Sequence, residues 1–133
     1  MAFAAALACG FPSRHLIVVG VTGTKGKSTV VELIAFILKC AGKKAVVSSS
    51  VRNNESGMTM PGRFFLQRFL RQGVREGCGY AVIEVTSQGI LQSRHEFIRW
   101  GVAVFTNLAP EHIEAHGSFE KYRDAKINFF NHA

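Results

Sequence analysis

One run of ten residues, Gly20-Val-Thr-Gly-Thr-Lys-Gly-Lys-Ser-Thr29, constrains this chain more than any other. It stands between two apolar segments of different kinds. Residues 15–20 (HLIVVG) are short, β-branched and continuously apolar, as in a strand buried on both faces. Residues 27–41 are long and apolar enough for a helix packed on a sheet, and Gly42 closes them in the manner of a C-cap. A glycine-rich turn from strand to helix is where a phosphate cradle belongs. Its glycines let backbone N–H groups turn towards an anion, and the helix N-terminus adds its dipole. Lys27 is placed to reach the outer phosphates of a nucleotide, and Ser28 to offer its hydroxyl to Mg²⁺. The strict pattern asks for glycine six residues before the lysine, where this chain has Val21; its glycines fall at 20, 23 and 26. A turn that merely starts a helix has no need of Gly-Lys-Ser. Nucleotide binding is therefore expected, but not a reaction type, since such loops serve kinases, GTPases, ATPases and ligases alike.

The rest of the chain repeats the strand–helix alternation. Residues 45–49 (AVVSS), 80–85 (YAVIEV) and 102–105 read as strands, and residues 51–60 as a polar loop. Pro61 stands where prolines open helices, and Phe65, Leu66, Phe69 and Leu70 carry an apolar stripe to about Glu76. A last helix begins near Ser118. The expected class is α/β, a P-loop-containing, mostly parallel sheet flanked by helices. No strand follows the last helix, so the domain at residues 13–133 is expected to be truncated at its C-terminus. The apolar opening, residues 1–12, lacks a basic n-region and falls short of the ~18 residues of a membrane span. It reads as a piece of helix, the remnant of a missing upstream region.

Composition adds limits rather than identity. The 133 residues make about one domain, and a net charge of +7 favours anionic partners. Arg63, Arg68, Arg71 and Arg75 recur at helical spacing, as on a solvated helix face. No aromatic-interleaved basic stripe accompanies them, so nucleic acid is set aside. Cys9, Cys40 and Cys78 are odd in number and contain no CxxC pair, which suits buried thiols in a reducing, cytoplasmic setting.

Three later features carry chemistry. Glu84 ends a strand, where a carboxylate can hold Mg²⁺ opposite Ser28 or simply face solvent. His112 and His116 have i,i+4 spacing, but Ile113 follows the first histidine where a zinc protease needs glutamate, so zinc is rejected. Lys126 falls on the apolar face formed by Phe119, Tyr122, Phe129 and Phe130. It either snorkels to the surface or is buried, and burial depresses a lysine's pKa enough for the neutral amine to add CO₂.

These segments resemble, in order, the motifs of the Mur ligase superfamily. Gly23-Thr-Lys-Gly-Lys-Ser28 is similar to its GTxGK(T/S) loop, Glu84-Val-Thr-Ser87 to EVSS, Thr106–Gly117 to TNLxxDHLDxHG, and Tyr122-Arg-Asp-Ala-Lys126 to YxxAK. The resemblance implies the family's central ATP-binding domain over residues 13–133. It implies ATP bound by Gly23, Thr24, Lys25, Gly26, Lys27, Ser28 and Thr29. Mg²⁺ would be held by Ser28, Glu84, His112 and a carbamylated Lys126, with Lys27, His112 and Lys126 the catalytic set. Thr59, Thr86, Gln92 and Arg94 fall where the MurE-type branch contacts its UDP-N-acetylmuramoyl-peptide. Departures are Glu111 for Asp, Met60 for Thr, Thr86 for Ser and Gln88 for His. The implied reaction is ATP-dependent amide formation between that precursor and an amino acid, through an acyl-phosphate. The family's N- and C-terminal domains are missing, so the chain alone is expected to be inactive. A folylpolyglutamate- or cyanophycin-synthetase-like ligase, or a non-catalytic ATP-binding fragment, remain alternatives. The Thr59, Gln92 and Arg94 set argues against the former.

Overall fold

Four runs rich in valine and isoleucine form the strands, and every pairing between them is parallel. The computed structural model describes residues 2–52, 59–109 and 117–131. Its strands are β1 (Ile17–Thr22), β2 (Ala45–Ser48), β3 (Tyr80–Glu84) and β4 (Trp100–Phe105), in the spatial order β2-β3-β1-β4. The helices are α1 (Ala2–Ala8), α2 (Lys27–Cys40), α3 (Arg63–Arg75), α4 (Ser87–Leu91) and α5 (Phe119–Asn131), with a 3₁₀ turn at Pro12–His15. The α/β class and the parallel sheet are as the alternation implied.

The sheet is covered on both faces, which is why its strands read as continuous apolar runs. On one face Val19, Val21 and Val82 pack against Val31 of α2. On the other, Val18, Ala81 and Ile83 pack with Leu66 and Leu70 of α3, Ile90 of α4 and Phe129 of α5. Each such side chain, fully buried, contributes roughly 1.5–3 kcal/mol. Gly20 is a packing glycine inside β1: a Cβ there would lie 2.5 Å from the Phe129 ring and 2.8 Å from Trp100.

Three local expectations are corrected. The stripe on α3 has a different phase: Leu66 and Leu70 are buried together with Gln67 and Gly73, whereas Phe64 and Phe65 face solvent at 52% and 68% exposure. At about 100° per residue Leu66, Gln67, Leu70 and Gly73 fall on one arc of the helix, and Phe65 lies outside it. Gly62 is the N-cap of α3, so Pro61 lies just outside the helix instead of opening it. In α5 the buried face is Tyr122, Ala125, Lys126 and Phe129, with Phe130 outside it. No helix among the described residues is long and apolar enough to cross a membrane.

Candidate functional site

All parallel strands end on one edge, and the loop between β1 and α2 lies there. Two of its glycines are required for different reasons. Gly23 has φ +148, and a Cβ on it would stand 1.9 Å from Thr106 Oγ1. Gly26 has φ +79 and nothing within 4 Å of a Cβ, so here the backbone turn alone asks for glycine. Gly26 also N-caps α2 with no side-chain hydrogen bond to the helix. The amides of Lys27, Ser28 and Thr29, in the first turn, have no intrahelical carbonyl to reach, and the helix dipole adds to their pull on an anion.

On the face covered by α2, three oxygen-bearing residues converge. Ser28 Oγ donates to Glu84 Oε2 at 2.9 Å, and the Ser50 amide donates to the same oxygen at 2.9 Å. Ser28 has one proton and spends it on Glu84, so in the 2.6 Å pair of hydroxyls Ser50 is the donor. Glu84 is only 3% exposed, which makes it a shielded carboxylate and not a strand-end solvent charge. Beyond it, Arg52 forks onto Glu32 and Ser49 Oγ donates to the same carboxylate. The Arg52 hydrogen bond holds the Glu32 carboxyl below the usual carboxylate range.

The opposite face is dry. Lys126 is 2% exposed, so it does not snorkel; Nζ donates to Gly23 O at 2.8 Å and stands 4.6 Å from the centre of the Tyr122 ring. Burial, with a smaller contribution from the Lys27 charge, lowers its pKa from 10.5 to about 8. Beside it the loop is latched to the segment after β4. Thr24 Oγ1 accepts from the Ala109 amide at 2.9 Å, donates to Ala109 O at 3.3 Å, and lies 2.8 Å from Tyr122 Oη, which is therefore the donor of that pair. The Thr24 amide bonds Asn107 O, and the Asn107 side chain clasps Lys25 N and Lys25 O at 3.0 Å each.

The sequence-expected residues thus divide. Ser28 and Glu84 meet; Lys126 is bonded to Gly23, not to either of them. The amides of Thr24 and Lys25 are occupied by Asn107, so the anion-facing part of the loop is its second half, from Gly26. Lys27 Nζ folds back onto Thr24 O at 3.0 Å. His112, with Glu111 and His116, lies outside the described residues. Around α4, Arg94 donates to Met60 O and to Gln92 Oε1, Arg63 Nε donates to Gln92 O at 3.1 Å, and Thr86 caps α4 by accepting from the Gly89 amide. The expected substrate positions Thr86, Gln92 and Arg94 are therefore one cluster around Met60, with Thr59 next to it in the chain. The residue missed from sequence is Ser50. The available signal was a serine run at the end of a strand, on the edge where ligands of open α/β sheets bind.

A uncapped glycine loop facing a hydroxyl–carboxylate pair suits hard-cation and phosphate chemistry. Comparison with known proteins places the chain in a family. The model of the Mur ligase middle domain matches residues 21–133. This chain is a Mur ligase middle domain. The UDP-N-acetylmuramyl-tripeptide synthetase of Treponema pallidum is 40% identical, over 96% of this chain and 25% of that protein. The UDP-N-acetylmuramoyl-L-alanyl-D-glutamate--2,6-diaminopimelate ligase of Geobacillus kaustophilus is 38% identical over 88% of this chain and 25% of that protein. A solved structure of a ligase with this second name superposes with a TM-score of 0.78 at 28% identity, over 88% of this chain and 25% of that one. The Mur ligase domain described here spans about a quarter of the length of these relatives.

Proposed function

We propose that this domain binds Mg-ATP and serves a MurE-type ligase that joins an amino acid to a UDP-N-acetylmuramoyl-peptide. The observation that carries the reading is the uncapped glycine loop beside the Ser28–Glu84–Ser50 triangle, in a chain of this family. The amides of residues 26–29 and the Lys27 ammonium hold the outer phosphates. Ser28 and Glu84 hold Mg²⁺, and Ser50 orients both by donating to each. When bound, the cation supplies charge neutralisation for phosphoryl transfer.

The remaining roles rest on the resemblance of these segments to the family's motifs. Arg94 and Gln92, with Thr59 and Thr86, orient the precursor so that its carboxylate attacks the γ-phosphate of ATP and expels ADP; the amine then displaces phosphate from the acyl-phosphate to form the amide. Lys126 joins the metal site as a carbamate after leaving Gly23 O, and its buried, depressed amine makes the addition of CO₂ accessible. His112 is the remaining metal ligand of the set. The setting for this work is the cytoplasm.

Lys27→Ala tests the reading. Calorimetry should show Mg-ATP affinity falling at least about tenfold, equivalent to ~1.4 kcal/mol. Equal affinity in the two proteins would sink it. The reaction also needs the parts of the relatives that this chain does not span. The chain alone should therefore release no ADP in response to precursor plus amino acid.

A further inference from the structure

Arg68 and Arg75 of α3 lie on a face that the proposed reaction does not use. The inner side of that helix is packed on the sheet through Leu66 and Leu70. Its outer side carries Phe64, Phe65, Arg68, Gln72 and Arg75, which line a single groove of about 610 Å³ together with Ala8 at the end of α1. Phe64 and Phe65 are 52% and 68% exposed, and Leu7 on neighbouring α1 is 58% exposed. Such adjoining apolar exposure on a small protein marks an interaction surface.

Among the described residues, the charged side chains lining this groove are Arg68, Arg71 and Arg75. Arg68 and Arg75 make no ion pair among the described residues, and Arg71 donates to Cys9 O. The first acid along the helix direction, Glu76, follows its last turn and accepts from Gln72. An outer face of protruding phenylalanines flanked by arginines that make no ion pair among the described residues, on a chain of net charge +7, complements a surface that is anionic at its rim and apolar beneath. A nucleic acid would engage the arginines but leave the paired phenyl rings in water.

We propose that this face docks reversibly on an anionic lipid bilayer surface, with Phe64, Phe65 and Leu7 entering the headgroup layer and Arg68 and Arg75 resting on lipid phosphates. The helix is already held by the core, so docking needs no folding step. Apolar insertion and basic attraction act together, as stable interfacial attachment requires.

The test is co-sedimentation of the chain with vesicles of equal parts phosphatidylglycerol and phosphatidylcholine, against pure phosphatidylcholine. Partitioning should be at least about tenfold stronger on the anionic vesicles and be lost at salt on the order of 0.5 M, where exposed charges are screened. Phe64→Ser with Phe65→Ser, and Arg68→Glu with Arg75→Glu, should each weaken partitioning about tenfold or more. Circular dichroism and Mg-ATP affinity should stay unchanged in both, since neither pair touches the nucleotide loop. No partitioning, equal partitioning on the two vesicle types, or phenylalanine variants that bind like wild type would each overturn the proposal. Tighter, variant-sensitive binding to soluble poly-glutamate than to vesicles would overturn it in favour of an acidic protein partner. The longest polypeptide the coding region specifies must behave alike; loss of vesicle binding there would mean that another segment covers the groove.

Discussion

The two faces of the sheet meet the nucleotide loop in opposite ways. On the α2 face, the Ser28 hydroxyl and the Ser50 amide donate to one oxygen of Glu84, and the Ser50 hydroxyl donates to Ser28, all within ordinary hydrogen-bond distance. On the α5 face, a single ammonium sits among Tyr122, Ala125 and Phe129 and is answered by one carbonyl. The first arrangement offers lone pairs to a hard cation at little cost. The second holds a charge where solvent cannot reach it, and the cost appears as the lowered pKa of Lys126. The loop is thus rigid where α5 and the segment after β4 grip it, and open where α2 begins.

The largest test of that division compares two glycines of the loop. Gly23→Ala drives a methyl group into Thr106 on the gripped side, at a φ that side chains rarely adopt. Gly26→Ala meets no atom and carries only the strain of a positive φ, about 1–2 kcal/mol. Mg-ATP affinity should fall by about 100-fold or more for the first and about tenfold for the second, on the scale of 1.4 kcal/mol per decade. Calorimetry with a parallel melting curve reads both. Equal losses would mean that the loop is not anchored on one side only.

Lys126 gives the next effect. Its folded-state pKa, about 8, lies below its ordinary 10.5. Between these values the unfolded chain keeps the proton and the folded chain does not, so stability rises as pH increases from about 8 to about 10.5. Below pH 8 the penalty for charging the buried amine is complete, about 3 kcal/mol. Melting curves of wild type should therefore gain on Lys126→Met across that window. Parallel curves would place the lysine in water.

How far the sequence could reveal this site depends on the range of each contact. The loop was legible from local pattern alone, a strand end running into a helix start; a strand end and a helical face only nominated Glu84 and Lys126, and the ordered resemblance was needed to choose between their alternatives. Ser50 was not, because its role is created by pairing with Ser28 across 22 residues and with Glu84 across 34. The latch was hidden for the same reason, since Thr24 and Tyr122 are 98 residues apart. On α3, the pairs Phe65–Leu66 and Phe69–Leu70 allow two helical phases, and only the sheet beneath selects the leucines. Helical spacing left Lys126 open between snorkelling and burial, and only its resemblance to the YxxAK segment favoured burial; its bond to Gly23 needed the fold.

Ser50→Ala sharpens the open side. It removes the hydroxyl that donates to Ser28 but keeps the amide that holds Glu84. The Mg²⁺ concentration needed for half-maximal ATP binding should rise about three- to tenfold, equivalent to roughly 1 kcal/mol for one hydrogen bond. Ser50→Thr, which retains the hydroxyl, should rescue it. An unchanged Mg²⁺ requirement in Ser50→Ala would remove Ser50 from the site.

The smallest expected effect probes the gripped side. Tyr122→Phe deletes the donor to Thr24 Oγ1 while leaving the ring that faces Lys126 Nζ. Thr24 Oγ1 still accepts from the Ala109 amide and donates to Ala109 O, so no polar atom of the latch is orphaned. The loss should therefore be near the net value of a single hydrogen bond, about 1 kcal/mol, and not the larger penalty of an unpaired buried group. It should appear in the melting temperature rather than in Mg-ATP affinity, because the loop remains clasped through Asn107. Thr24→Val removes all three hydroxyl contacts and leaves the Ala109 amide without its acceptor, so it should cost clearly more. If Tyr122→Phe instead weakens nucleotide binding several-fold with the melting temperature unchanged, the hydroxyl serves the ligand directly, and the division between a gripped and an open side fails.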